Sequence, residues 1–195
     1  MFLLNIFLCI IPLIIYVFYI RSYRFKIKEM AVIGIFAALS YILSLINVIH
    51  YPQGGGISLL SSLPILLIGV IHSKEVGVTT GLVAGIFSIV FGGYILNPTQ
   101  VILDYILPFM TLGLSGIFGY KNKIKLIMWS IVIVIISTIF HVMAGVIFFS
   151  ELAPEGVSSL IYSLVYNFSG TGVEGIISAI VMGIFPIERI KNNRK

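Results

Sequence analysis

The sequence predicts an all-α polytopic membrane protein, and three observations carry that prediction. Of its 195 residues, 59% are hydrophobic and only 10% are charged, with a mean hydropathy of +1.14. A soluble domain carries about 25% charged residues, so these charges are too few to cover a water-facing surface. The apolar residues fall in long runs, and a span needs roughly 17–25 of them. The alternating segments of about ten residues that mark an outer-membrane barrel are not seen in the sequence. Finally, all twelve Lys and Arg residues lie on alternate connections.

The apolar runs are read as helices at 1–20, 30–49, 57–72, 76–93, 99–119, 124–149 and 158–187. The third is short for a span, and the last is long enough to be tilted or broken. The basic connections are RSYRFKIK, HSKE, YKNKIK and the tail ERIKNNRK. The other connections, HYPQGGG, GGYILNP and SELAPEG, hold no basic residue. By the positive-inside rule the basic loops and the C-terminus face the cytoplasm. The net charge of +5 is then a consequence of topology rather than a nucleic-acid footprint.

The first run, MFLLNIFLCIIPLIIYVFYI, has its basic cluster after it, whereas a secretory signal has the reverse order. It is read as an uncleaved helix with its N-terminus outside. A start near Met30 is the alternative. Three regions follow: residues 1–29, an N-terminal transmembrane helix and basic cytoplasmic loop; 30–187, a membrane domain; and 188–195, a basic cytoplasmic tail. Cys9 is the only cysteine, which leaves no internal disulfide and no thiol-metal cluster.

Polar residues inside apolar helices are the functional signal, because an intramembrane charge is costly and marks a site by default. Asp104 sits about 8–9 Å below the outer end of its helix, at 1.5 Å per residue. Gln100 is one turn earlier on the same face. His141 lies about 12 Å from the outer end of the next helix, with Gly145 one turn beyond, where it could admit a ligand ring. Tyr162 and Asn167 fall in the first three turns of the last helix, and Tyr94 lies in the short loop before Pro98. These groups come from separate parts of the chain yet share one predicted depth. Tyr94, Tyr105, Phe148, Phe149, Tyr162 and Tyr166 supply aromatic walls. An acid among aromatic faces suits a small, flat, cationic or nitrogen-rich solute.

The segments YPQGGGISL, GGYILNPTQVILDY and HVMAGVIFFSELAPEG, followed by LIYSLVYN, match a family in order. Over about residues 30–187 the chain resembles the thiamine-specific substrate-binding (S) subunits of energy-coupling factor (ECF) transporters, the ThiT/YuaJ family. The resemblance implies a six-helix S-component core, with helix 1–20 as an addition outside it. It implies thiamine as the transported ligand, no further cofactor, and no catalysis by this chain. The implied partners are a transmembrane coupling protein and two cytoplasmic ATPases, in a bacterial cell membrane.

The family's ligand contacts fall on Tyr94, Asp104, Tyr105, His141, Gly145, Phe149, Tyr162 and Asn167. The acid is Glu in some members, Phe149 stands where some have Trp, and the QGGG loop lacks an aromatic that some place there. The small-residue face of GIFAALS, with Gly34 and Ala38 four apart, corresponds to the face that docks on the coupling protein; packing within the subunit is the alternative.

Other readings stay open at this point. Asp104 and His141 can serve as a structural polar lock, as a proton relay in an independent secondary carrier, or as an acid and base in an intramembrane enzyme. An S component for another vitamin or a thiamine precursor is the nearest alternative. GTGVEG fits a dinucleotide pattern but lacks the strand that such a site requires. Glu174, deep in the last helix, has no partner that the sequence identifies, and Glu151 and Glu155 are expected in a solvated outer loop.

Overall fold

The computed structural model describes residues 2–52, 54–119 and 121–192. Gln53, Arg194, Lys195 and the side chain of Cys9 lie outside what is described. Six helical segments form the body, and an N-terminal helix, α1 (Phe2–Ile20), stands beside them. The six are α2 (Ile27–Ser44), α3 (Leu63–Ile71), α4 (Lys74–Val90), the broken pair α5 (Pro98–Val101) and α6 (Leu107–Leu112), α7 (Lys123–Phe148), and the broken pair α8 (Ser159–Asn167) and α9 (Val173–Met182). A short α10 (Ile187–Asn192) ends the described chain.

Local chemistry sets the helix starts. Asn97 accepts from Gln100 N at 3.0 Å, with Pro98 in the first turn, where its missing N–H costs nothing. Asn122 accepts from Lys125 N at 3.0 Å, and Ser158 accepts from Ile161 N at 3.3 Å. Each satisfies one of the N–H groups that a helix start leaves unpaired.

Three segments, Ile27–Ser44, Lys123–Phe148 and Ser159–Met182, are long and apolar enough to cross a membrane. Two expectations need correction. The run 30–49 does not stay helical: α2 ends at Ser44, and β1 (Asn47–His50) pairs antiparallel with β2 (Gly56–Ser58). The reversal uses Gly54, Gly55 and Gly56 at φ of 91°, 68° and 141°, a region open to glycine and closed to most other residues. The run 57–72 is helical only over the nine residues of α3, buried from Pro64 through Val70. It is a core helix rather than a lipid-facing span. Ile65, Leu66 and Val70 pack there with Ala84, Leu126, Val134, Ala179 and Met182.

Both breaks in the paired segments are π-turns, at Ile102–Ile106 and Phe168–Gly172. The first has a direct cause in Pro108. A proline inside a helix lacks the N–H that would bond to residue i−4 and its ring crowds that carbonyl; here residue i−4 is Asp104. The chain widens, and Leu107 N–H reaches back to Ile102 O. The second falls in the small-residue stretch FSGTG, where glycines let the ladder slip.

α1 is docked on α4 by matched contacts. Tyr16 and Thr79 share a hydrogen bond at 2.9 Å, Tyr19 donates to Glu75, and Lys74 lies 5.0 Å from the Tyr19 ring centre. Leu13 and Tyr16 pack against Val78, Ile106 and Met110. The pairing Tyr16 with Thr79 and Tyr19 with Glu75 makes the two helices antiparallel.

Candidate binding chamber

Asp104 stands in the first π-turn with both carboxylate oxygens engaged. Oδ1 lies 2.8 Å from His141 Nδ1, and Oδ2 accepts from Gln100 Nε2 at 3.1 Å. Gln100 is fully buried, and its Oε1 accepts from Leu96 N at 3.3 Å. The acid is therefore held from two sides by groups on its own helix and on α7. An ionised carboxylate offers about four lone-pair sites, so capacity remains for a guest. The side chains of Asp104 and His141 keep 22% and 15% exposure, and both border a chamber of about 630 Å³. That volume falls within the roughly 300–1,000 Å³ of small-molecule sites.

All eight residues expected to bind ligand border this chamber: Tyr94, Asp104, Tyr105, His141, Gly145, Phe149, Tyr162 and Asn167. Tyr105 OH accepts from Tyr94 N at 2.9 Å and donates to Tyr94 O at 3.3 Å, which ties the loop before α5 to the π-turn. The Tyr94 and Phe149 rings lie 6.2 Å apart and tilted. Asn167 donates to Ser163 O at 2.9 Å, leaving its carbonyl oxygen for other partners. Tyr162 Oη is buried and has no hydrogen-bond partner among the described residues. Such an orphan is costly unless something bonds to it.

Gly145 differs from expectation. A Cβ there would overlap Ser163 Oγ on α8, so the missing side chain lets α7 and α8 approach closely rather than leaving space for a ring. Gly34 and Ala38 lie away from the chamber on α2. A Cβ at Gly34 would meet nothing within 4 Å, whereas Ala37 on the same helix is fully buried. The small-residue face thus points outward, and intramolecular packing uses Ala37.

The sequence reading missed the hairpin turn, whose Gly54 and Gly55 border the chamber. Tyr51 donates to Ser169 Oγ at 3.0 Å and meets the Tyr166 ring edge-on at 5.3 Å. Tyr166 also donates to Gly54 O, so the hairpin turn is pinned over α8. A tyrosine three residues ahead of three glycines was the available signal. Glu151, expected in a solvated loop, is exposed but stands at the chamber rim.

Adjoining this chamber is a second, of about 450 Å³, called the lower one because it reaches Glu174 deep in the last helix. Asp104, Tyr105, His141, Tyr166 and Asn167 border both. Glu174 lines the lower one and is 3% exposed. Its partners are Ser62 N at 3.0 Å, Ser62 Oγ at 2.6 Å and Ser178 Oγ at 3.0 Å. The acid that the sequence left without a partner therefore ties the last helix to the start of α3.

This combination of fold and chamber has known counterparts. The sequence pattern of the family described as thiamine transporter protein (Thia_YuaJ) matches residues 30–193. The chain belongs to that family. It is 36% identical, over 165 residues, to thiamine transporter ThiT of Bacillus subtilis (strain 168), covering 77% of this chain and 85% of the relative. It is 28% identical to thiamine transporter ThiT of Lacticaseibacillus paracasei over 179 residues, covering 81% and 85% of the two chains. The solved structure of ThiT from Listeria monocytogenes matches with a TM-score of 0.68 at 26% identity, covering 83% of this chain and 94% of that one. The family pattern begins at residue 30, so α1 lies outside it. This family member is a multi-pass membrane protein with the S-component fold and one added helix.

Proposed function

We propose that this chain is the high-affinity thiamine-binding subunit of an ECF-type importer. It captures thiamine from outside and passes it inward with partner subunits. The observation that carries the reading is one chamber bordered by all eight family contact positions, with the unpaired Tyr162 hydroxyl buried in its wall. The names of the relatives supply the ligand.

In this reading Asp104 accepts from the amino group of the aminopyrimidine and offsets the thiazolium charge at longer range. Gln100 and His141 fix its orientation. Phe149 gives the thiazolium an aromatic face, worth about 0.5–2 kcal/mol. Tyr162 and Asn167 complete the polar contacts. Among the described residues no Lys or Arg borders the chamber, which favours free thiamine over its phosphate esters.

The chain binds and releases thiamine unchanged. ATP hydrolysis belongs to two cytoplasmic ATPases, reached through a transmembrane coupling protein that docks on the Gly34 and Ala38 face. The basic loops and the C-terminus face the cytoplasm. A close analogue or precursor of thiamine is the second reading, favoured by Phe149 in place of a larger indole.

Titration calorimetry of the purified protein with thiamine, beside Asp104→Asn, tests this. Tight one-to-one binding is expected. Losing a charge-assisted partner worth about 1.5–3 kcal/mol should weaken it by roughly ten- to a hundredfold. Absence of binding by folded wild-type protein would reject thiamine.

A further inference from the structure

The lower chamber is not used by the reading above, and its walls have one consistent property. Its hydroxyl protons are committed to protein acceptors. Ser137 donates to Pro108 O at 2.9 Å, Thr138 to Val134 O at 2.9 Å, and Ser88 to Ala84 O at 3.1 Å. Thr171 donates to Asn167 O at 2.9 Å, and Tyr41 to Phe91 O at 3.1 Å. A hydroxyl has one proton and two lone pairs. Once the proton is spent, only acceptor capacity is left to face a cavity. Glu174 adds a carboxylate at the same wall, held by donors from Ser62 and Ser178.

These hydroxyls and Glu174 turn acceptors toward the chamber, which the side chains of Asn47 and His141 also border. The chamber complements a guest rich in N–H groups, and a positive charge improves the match with the carboxylate. Its volume of about 450 Å³ is a site-sized space in its own right. It shares Asp104, His141 and Asn167 with the upper chamber as lining residues, and the proposed function puts the aminopyrimidine beside Asp104.

We infer that the lower chamber is a second subsite for an N–H-bearing, cationic extension on the pyrimidine side of the ligand. The ligand class then includes aminoalkyl-extended aminopyrimidine cations as well as thiamine, with Glu174 as the wall that selects the extension. This rests on the proposed function, which sets the pyrimidine at the neck.

The probes are two thiamine analogues in which the pyrimidine methyl group is replaced by aminomethyl or by the similarly sized ethyl. Calorimetry compares both with thiamine on the wild type, Glu174→Gln and Thr138→Val. The aminomethyl compound should bind the wild type more tightly than the ethyl compound. Glu174→Gln should weaken the aminomethyl compound by about tenfold and leave thiamine nearly unchanged. Thr138→Val keeps the shape and removes one acceptor, so it serves if Glu174→Gln fails to fold; a loss of about two- to tenfold, confined to the aminomethyl compound, is expected. Tighter binding of the ethyl compound, or equal losses for thiamine and the aminomethyl compound in the variants, would overturn the subsite. Failure of thiamine itself to bind the wild type would instead overturn the reading beneath it.

Discussion

Asp104 Oδ1 and His141 Nδ1 meet at 2.8 Å although 37 positions separate the two residues in the chain. The contact joins the widened turn of one helix to the C-terminal half of α7. The other carboxylate oxygen depends on Gln100, which is fully buried. Gln100→Leu removes that donor and leaves a carboxylate oxygen under-bonded. Thiamine affinity should fall by about five- to a hundredfold, corresponding to roughly 1–3 kcal/mol for an unsatisfied buried group. Calorimetry on the folded variant reads this directly, and unchanged affinity would show that Gln100 does not orient the acid.

Gly145 on α7 faces Ser163 on α8 at the chamber wall, so closely that an added Cβ would overlap the Ser163 hydroxyl. Gly145→Ala should lower stability by about 1–3 kcal/mol through overpacking. Adding Ser163→Ala removes the clashing hydroxyl, so the pair should recover part of the loss, a non-additivity expected of residues in contact. Thermal unfolding in detergent measures both. Equal losses in the single and double variants would place the strain elsewhere.

The Tyr16–Thr79 bond is the polar anchor of α1 within the membrane-spanning body. Tyr16→Phe should cost about 0.5–1.5 kcal/mol of stability, and combining it with Thr79→Val should cost little more. Thiamine affinity should stay within about twofold, a shift below 0.5 kcal/mol, because neither residue borders the chamber. Unfolding midpoints and calorimetry on the same samples separate the two effects.

The Gly34 face is open in the isolated chain. Replacing Gly34 and Ala38 together with Trp should abolish co-purification with the coupling protein and thiamine uptake by cells. Thiamine binding to the isolated subunit should persist. Loss of binding along with uptake would move the docking surface off this helix.

Much of this arrangement was legible in the sequence, because membrane helices announce themselves by length and because charged loops alternate. The depth argument placed Asp104, His141, Tyr162 and Asn167 on one chamber. The π-turns shift these positions by only a fraction of a turn, so the depths estimated from a regular helix still agree. What was not legible depended on contacts distant in sequence or on a change of period. Asn47–His50 reads as the apolar end of α2, and only its pairing with Gly56–Ser58 makes it a strand. Glu174 finds its partner at Ser62, 112 positions away. Gly145 has a pattern compatible with either a ligand or a neighbouring helix, and only the position of Ser163 decides between them. Pro108, four residues after Asp104, was a visible sign of the widened turn.

The two π-turns have a consequence for how such a chain can change over time. At 3.6 residues per turn, one inserted residue rotates everything after it by about 100°. Each broken helix is therefore two rotational settings joined by a slip. Asp104 and Tyr105 lie within the first slip, and Tyr162 and Asn167 precede the second, all bordering the binding chamber; α6 and α9, after the slips, belong to the packed body. The slips act as clutches between those settings. Substitutions that re-aim the ligand-facing turns need not re-phase the packed core, so the chamber can vary while the body stays the same.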